Sequence, residues 1–411
     1  MNDESISVTS SLIHPSHSAS AGFTGNAVGA SPSAIPRAAV LRFRCISIRA
    51  AMRGLSLTAR LISWRQSMHR IKRSLVPTLL FLAAFAAMAL GLSVLRKSGR
   101  PTGSVEANET AEPDGLEREP ISPLPRTIEL DSRKVELGRR LFHDKRLSAD
   151  NSVSCASCHN VRENGADIKV RSAGMGGALG DVNTPTVFNS GFSFRQFWDG
   201  RAETLEDQID EPIRHPAEMA TDWPQILNKL QADSEYVAAF SSIYATKVES
   251  RGIKDAIATF ERSLITPNSR FDRYLRGDSQ ALTAEEKEGY RLFKESGCSS
   301  CHQGVLVGGN MFEKLGIVRD YFADRGHITK FDFGRFNATG VEENRFEFKV
   351  PSLRNVARTA PYFHDGSARS LDEAVSVMAR YQLGRELTAT ELHRIVQFLE
   401  TLTGKSPEGV P

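Results

Sequence analysis

Two five-residue segments, Cys155-Ala-Ser-Cys158-His159 and Cys298-Ser-Ser-Cys301-His302, constrain this 411-residue chain more than any other feature. Both read C-x-x-C-H, the attachment sequence for c-type haem. Two thiols three residues apart on a helical turn can add to the two vinyl groups of one porphyrin, and the adjacent imidazole then lies beneath the iron as an axial ligand. A zinc site would call for paired C-x-x-C or downstream histidine pairs, and a redox C-x-x-C for a thioredoxin-like βαβ setting. One copy is a moderate signal. Two copies 143 residues apart favour two covalent haem c groups over both alternatives. The fifth cysteine, Cys45, is given no role.

The net charge of +3 hides an asymmetry: residues 1–74 hold ten Lys/Arg against two acids, and residues 96–411 hold 42 against 47. The bulk of the chain is acidic, which excludes a nucleic-acid role. Between these parts, residues 75–95 are uncharged and apolar over 21 residues, enough to cross a ~30 Å hydrocarbon core. The larger cationic excess precedes the run, so the positive-inside rule puts the C-terminal 316 residues on the periplasmic side of the inner membrane. The run exceeds an ordinary signal-peptide core and reads as an uncleaved anchor; a cleaved signal processed near Ala87 to Ala89, leaving a soluble periplasmic protein, is the alternative. Residues 1–74 read as a basic, unstructured segment, and translation starting at Met68 would explain them. Residues 96–125 carry five prolines and read as a linker.

At this length the exported part holds two domains, expected at 126–267 and 268–405. Gly138-Arg-Arg-Leu141-Phe142 precedes the first haem motif and Gly289-Tyr-Arg-Leu292-Phe293 the second, the mark of a duplication. Apolar residues recur at helical spacing in Tyr236, Val237, Phe240, Ile243, Tyr244 and again in Ile253, Ile257, Phe260, Leu264. Capping boxes are expected at Thr283…Glu286, Ser370…Glu373 and Thr388…Glu391. The last helix should end at Gly404. Sustained β alternation is missing, so the fold is expected to be mainly α, two tandem class I cytochrome c-like haem domains behind an N-terminal transmembrane segment.

From about Arg133 to Gly404 the sequence resembles the bacterial dihaem cytochrome c peroxidases, relatives of the methylamine-utilisation dihaem oxygenases. The resemblance rests on LFHDKRLSADNSVSCASCHN, NTPTVFN (183–189), RQFWDGRAETLEDQ (195–208), HPAEMA (215–220), ATFERSLITPNSRFDRYLRGD (258–278), PSLRNVARTAPYFHDG (351–366) and FLETLTG (398–404), in that family's order. It implies hydrogen peroxide as substrate, reduced to water with two electrons from a small cytochrome c, a cupredoxin or a quinol, and a homodimer. A dihaem oxygenase or protein-modifying enzyme and a non-catalytic dihaem electron carrier are the alternatives.

The resemblance also assigns roles. The His159 haem is peroxidatic, with Glu218 as the acid/base that takes a proton from one peroxide oxygen and returns it to the other. Gln208 and Phe197 line the pocket, and Trp198 stands between the haems. The His302 haem transfers electrons, with Met378 as its second axial ligand; a tyrosine replaces that methionine in the protein-modifying relatives. A calcium ion is implied, held by the Asn183 amide oxygen and the Thr359 and Pro361 carbonyls. His215, three residues before Glu218, could serve as a second pocket base, but a lone histidine before a proline reads first as a turn residue and is left out of the catalytic set. In one respect the chain departs from the pattern. Many members carry a histidine ligand about 16 residues after the first motif; here no histidine lies between His159 and His215, and Met175 stands in its place as a weak haem ligand or a mobile loop residue. The glycine-rich run around it is expected to move, and the first haem to need little or no reductive activation.

Overall fold

The computed structural model describes residues 119–406. The expected anchor at 75–95, the basic segment before it and most of the linker lie outside them. Among the described residues no helix is long and apolar enough to cross a membrane. The chain runs through α1 (Ser132–Phe142), α2 (Leu205–Gln208), α3 (Asp210–Arg214), α4 (Trp223–Gln231), α5 (Ser234–Tyr244) and α6 (Ser250–Ser263). It continues through α7 (Arg270–Leu275), α8 (Ala284–Glu295), β1 (Phe312–Lys314), α9 (Tyr321–Arg325), α10 (Phe336–Thr339), β2 (Glu347–Lys349), α11 (Leu371–Tyr381) and α12 (Ala389–Glu400). The fold is mainly helical, as expected. Its strands β1 and β2 form one short antiparallel ladder, Phe312 opposite Lys349.

Helix α1 starts because the Asp131 carboxylate accepts the Arg133 N–H, and Arg139 and Arg140 in its last turn suit the negative end of the helix dipole. Its buried stripe, Leu137, Gly138, Leu141 and Phe142, packs on Ile253, Ala256, Ile257 and Phe260 of α6. The helices touch at Gly138, where a Cβ would overlap the Ala256 carbonyl. The second half repeats this crossing: α8 meets α12 at Gly289, where a Cβ would overlap the Arg394 carbonyl. Phe142 packs edge-on against Phe260 at 5.2 Å, and Phe293 meets Phe398 at 5.1 Å. The duplicated glycine and phenylalanine of the sequence are therefore one helix crossing built twice.

The described residues belong to one compact unit. Within it the apolar core gathers in two main clusters, one drawn from Leu137 to Leu264, the other from Phe271 to Leu402 together with Ile121. Thr266 lies where they meet. Its hydroxyl accepts the side-chain N–H of Asn189 at 2.8 Å and of Asn355 at 2.9 Å. Both asparagines are left-handed, with φ of 61° and 60°.

Three expectations are corrected. The part of the linker that is described, 119–125, is docked on the second half: Leu124 is fully buried, its N–H donates to Asp272 at 3.1 Å, and Ser122 O accepts from Arg354 at 2.9 Å. The fully buried Arg354 and Asp272 pair at 2.8 Å directly beneath it. Gly404 does not stop α12, which ends at Glu400; it is there because a Cβ would overlap the Thr266 carbonyl. The boxes at Thr283 and Thr388 form in full, but Ser370 caps α11 alone because Glu373 accepts the Arg369 N–H instead.

Replacing Gly138 or Gly289 by Ala is expected to cost about 1–3 kcal/mol, the usual overpacking penalty, since a backbone carbonyl cannot turn away as a side chain can. Chemical denaturation of the haem-loaded protein measures it, and neither variant should match the parent.

Candidate functional site

Each C-x-x-C-H begins as a single 3-10 turn, Cys155–Ser157 and Cys298–Ser300, a geometry in which residues three apart, here the two cysteines, tend to eclipse. The imidazoles are held alike. His159 Nδ1 lies 3.2 Å from Gly165 O, and His302 Nδ1 lies 3.2 Å from Val307 O. A carbonyl only accepts, so Nδ1 must carry the hydrogen and Nε2 keeps its lone pair for a metal. Burial disfavours the imidazolium in both, lowering His159 and pushing His302 down to about 4. Phe142 and Phe293 stand 6.5 Å from the two rings at matching tilts of 51° and 54°. The four cysteines are free thiols. Two unpaired thiols beside a neutral imidazole with a free Nε2 fit a covalently attached haem at each motif.

Glu218 lies in the turn after α3, close enough for its charge to help raise both the Cys155 and Cys158 thiols, whose main perturbation is burial. Its own carboxyl is raised, chiefly by burial, with Asp181 and Glu211 adding to the shift and His215 and Arg201 opposing it. A carboxyl held up in this way holds its proton to higher pH than an ordinary carboxylate, which suits acid/base work. His215, which the sequence reads first as a turn residue, is brought beside Glu218. Its Nε2 is 3.2 Å from Asp181 Oδ2, and its Nδ1 is 3.6 Å from Glu218 Oε1 and receives the Ala217 N–H at 3.3 Å.

The Met175 segment is more ordered than its glycines suggest. Gly174 N–H donates to Ala178 O and Gly180 N–H to Ser172 O, closing a hairpin around the Met175–Gly177 turn. The Met175 N–H donates to Glu218 O at 3.0 Å. Gly174 is required there, because a Cβ would overlap the Ala217 carbonyl.

Trp198 touches both halves: its indole N–H donates to Asn183 O at 2.9 Å, and its ring meets His364 edge-on at 6.5 Å. These two residues occupy equal places in a repeated turn. Phe197-Trp198-Asp199-Gly200 and Phe363-His364-Asp365-Gly366 each hold their phenylalanine at φ 69°. Phe197 also lies under Arg201, whose guanidinium carbon is 3.6 Å from the ring centroid. Gln208 is half-buried at the end of α2 and Met378 half-buried near the end of α11. Leu371 and Val375 of α11 pack on the second core, as the sequence stripe suggested, and Met378 lies outside it. Asn183 is buried, with its side-chain nitrogen donating to Lys169 O and Val170 O, which turns its amide oxygen away from them; its backbone N–H donates to His364 O. Among the described residues, Asp332, His364 and Asp365 could meet on one ion, but Arg325 already bridges the two carboxylates at 2.8 and 2.6 Å.

A family model described as di-haem cytochrome c peroxidase matches residues 132–280. The chain is 49% identical over 287 residues to the cytochrome c peroxidase Ccp of Escherichia coli K12, covering 70% of this chain and 61% of that one. It is 44% identical over 292 residues to the cytochrome c551 peroxidase of Nitrosomonas europaea, covering 71% and 86%. The chain belongs to the di-haem cytochrome c peroxidase family. The fold agrees: a crystal structure of a MauG-like protein associated with microbial copper homeostasis superposes with a TM-score of 0.61 at 29% identity, over 74% of this chain and 98% of that one. Family membership implies two haem c groups, one for each C-x-x-C-H. The chain spans about three fifths of the length of the E. coli peroxidase.

Because Glu218 is raised, a peroxidase of this geometry should lose its reaction with peroxide as pH falls through a midpoint above the ordinary carboxylate range. Protonated Glu218 cannot accept the peroxide proton. Stopped-flow absorbance of the first turnover against pH reads that midpoint directly, and Glu218→Gln should abolish the dependence.

Proposed function

We propose that the chain reduces hydrogen peroxide, H2O2 + 2 e− + 2 H+ → 2 H2O, at the pocket shared by Cys155, Cys158, His159 and Glu218. The observation that carries this reading is the raised Glu218 carboxyl beside the first thiol pair. Cys155, Cys158 and His159 would hold one haem and Cys298, Cys301 and His302 the other; bound there, they would supply one-electron redox chemistry, the first as the peroxidatic and the second as the electron-transfer centre, with Trp198 in the contact between the halves. The protein's own part is acid/base work. Glu218, ionised, removes the proton from one peroxide oxygen and returns it to the other, so that water is the leaving group. Phe197 and Gln208 line the peroxide pocket, and Arg201, stacked on Phe197, keeps a positive charge near Glu218.

Met378 would hold the iron of the His302 haem through its thioether, a ligand that favours the reduced iron and suits an electron-accepting centre. Asn183 Oδ1 with the Thr359 and Pro361 carbonyls offers the hard oxygen donors that calcium prefers, and the turned amide of Asn183 supports that reading. Met175 is read as a residue of the docked hairpin, leaving the peroxide side accessible in the oxidised enzyme. Residues 75–95 tether the enzyme to the periplasmic face of the membrane, where a small cytochrome c, a cupredoxin or quinol supplies electrons, and the enzyme works as a homodimer.

Glu218→Gln is expected to lower steady-state peroxide reduction by about 10²–10⁴-fold with both haems retained, the span usual for loss of a general acid/base. Full activity in that variant would overturn the mechanism. Met378→His should lower the potential of one haem only, by spectroelectrochemical titration; an unchanged titration would make Met378 a packing residue.

A further inference from the structure

We infer that Glu261 couples reduction of the first haem to the uptake of one proton, through a carboxyl that the second half replaces with leucine. The inference rests on haem attachment at Cys155 and Cys158 and is independent of what that haem then reduces. It starts from the duplication. At the two helix crossings Gly138 faces the Ala256 carbonyl and Gly289 the Arg394 carbonyl, so Ala256 and Arg394 occupy equal places on α6 and α12. Counting on, Phe260 matches Phe398 and Leu264 matches Leu402, apolar and buried in both halves. Between them Glu261 matches Leu399. Both are buried, at 5% and 3% exposure, yet one is a carboxylic acid and the other a hydrocarbon.

A buried carboxyl is costly unless something answers it. Among the described residues no group hydrogen-bonds the Glu261 carboxyl, and the adjacent Arg262 guanidinium is turned to Glu206 of α2, at 2.8 and 2.9 Å. The charge of Glu261 reaches the haem attachment site instead. The Cys155 thiol is raised first by burial and next by Glu261, ahead of Cys158 and Glu218. Burial also pushes Glu261 itself up to about 8, with Arg262 opposing the shift and Glu206 adding to it. Other charged groups where neighbouring helices pack on α6 are paired among themselves: Lys254 with Asp210 of α3, and Asp255 with Lys134 of α1 and the Tyr244 hydroxyl of α5. Glu261 is thus an acid in a poorly solvating place, next to a group whose charge changes by one. The oxidised haem, one positive charge richer, favours the carboxylate, and the reduced haem favours the acid. One electron arrives from the donor, one proton from solvent adds to a carboxylate oxygen as the O–H bond forms, and the charge of the buried pocket is unchanged. At pH below the value Glu261 has in the oxidised protein, the acid keeps its proton in both states and none moves. Between that value and the higher one of the reduced protein, each electron brings a proton, and the potential falls as pH rises.

The test is spectroelectrochemical titration of the haem-loaded full-length protein across pH, beside Glu261→Gln and Glu261→Leu, the latter copying the second half. In the parent the reduction equilibrium of one haem should fall by up to about tenfold per pH unit within that window, the value for one proton per electron. In both variants that fall should be absent. A fall that survives in either variant, or a parent with none, would overturn the inference. Infrared difference spectra of reduced against oxidised protein give a readout that a packing role would not move. At a pH within the window the parent should gain the C=O band of a carboxylic acid on reduction, and Glu261→Gln should not. If neither variant takes up haem, this band decides: it should persist in Glu218→Gln, and its absence there would overturn the inference. Neither measurement uses peroxide, so a parent inactive towards peroxide would sink the peroxidase reading and leave this one standing.

Discussion

The close helix crossing made at Gly138 and again at Gly289 sets the rest of the structure. Because a backbone carbonyl occupies the space of the missing Cβ, each helix pair is drawn together until a phenylalanine one turn on is pressed between the partner helix and the ligand imidazole. The imidazole then meets a loop carbonyl and is fixed as the tautomer whose Nε2 can bind iron. The setting of both imidazoles thus depends on two hydrogen atoms where any other residue would place a carbon.

The duplication has diverged where the halves meet. Asn189 and Asn355 share the hydroxyl of Thr266, which fixes the two copies against one another through hydrogen bonds that are buried and hence strongly directional. One repeated turn then offers Trp198 and the other His364, ring against ring. His364 is tied to Asp332, a carboxylate that burial would raise but that His364, the Thr329 N–H and Arg325 hold well below the usual range. The two faces of this contact therefore differ in polarity although the backbones are alike.

Much of this was legible in the sequence because its cause is local. The haem motifs follow from covalent spacing, the helices around Tyr236 and Ile253 from apolar period, and two full capping boxes from residues three apart. What could not be read arises from contacts across the chain. Gly404 looks like a helix stop and is a close approach to Thr266, 138 residues earlier. His215 looks like a turn residue and becomes a partner of Glu218 only when Asp181 is brought to its other nitrogen. The repeated turn at Phe197 and Phe363 is written in the sequence only as F-x-D-G-x-A, because its copies share backbone shape more than side chains.

The docked segment 119–125 bears on how such a protein matures. Its contacts are to Asp272 and Arg354, 148 and 232 residues further on. Loop closure over such spans is slow and has nothing to close upon until the later residues have emerged. The first haem motif therefore emerges on an unlatched chain, and the earliest described residues return late to seal the latest-made half. The strap makes completion of the C-terminal half the condition for a closed molecule, so a truncated product would stay open and be recognisable to proteases.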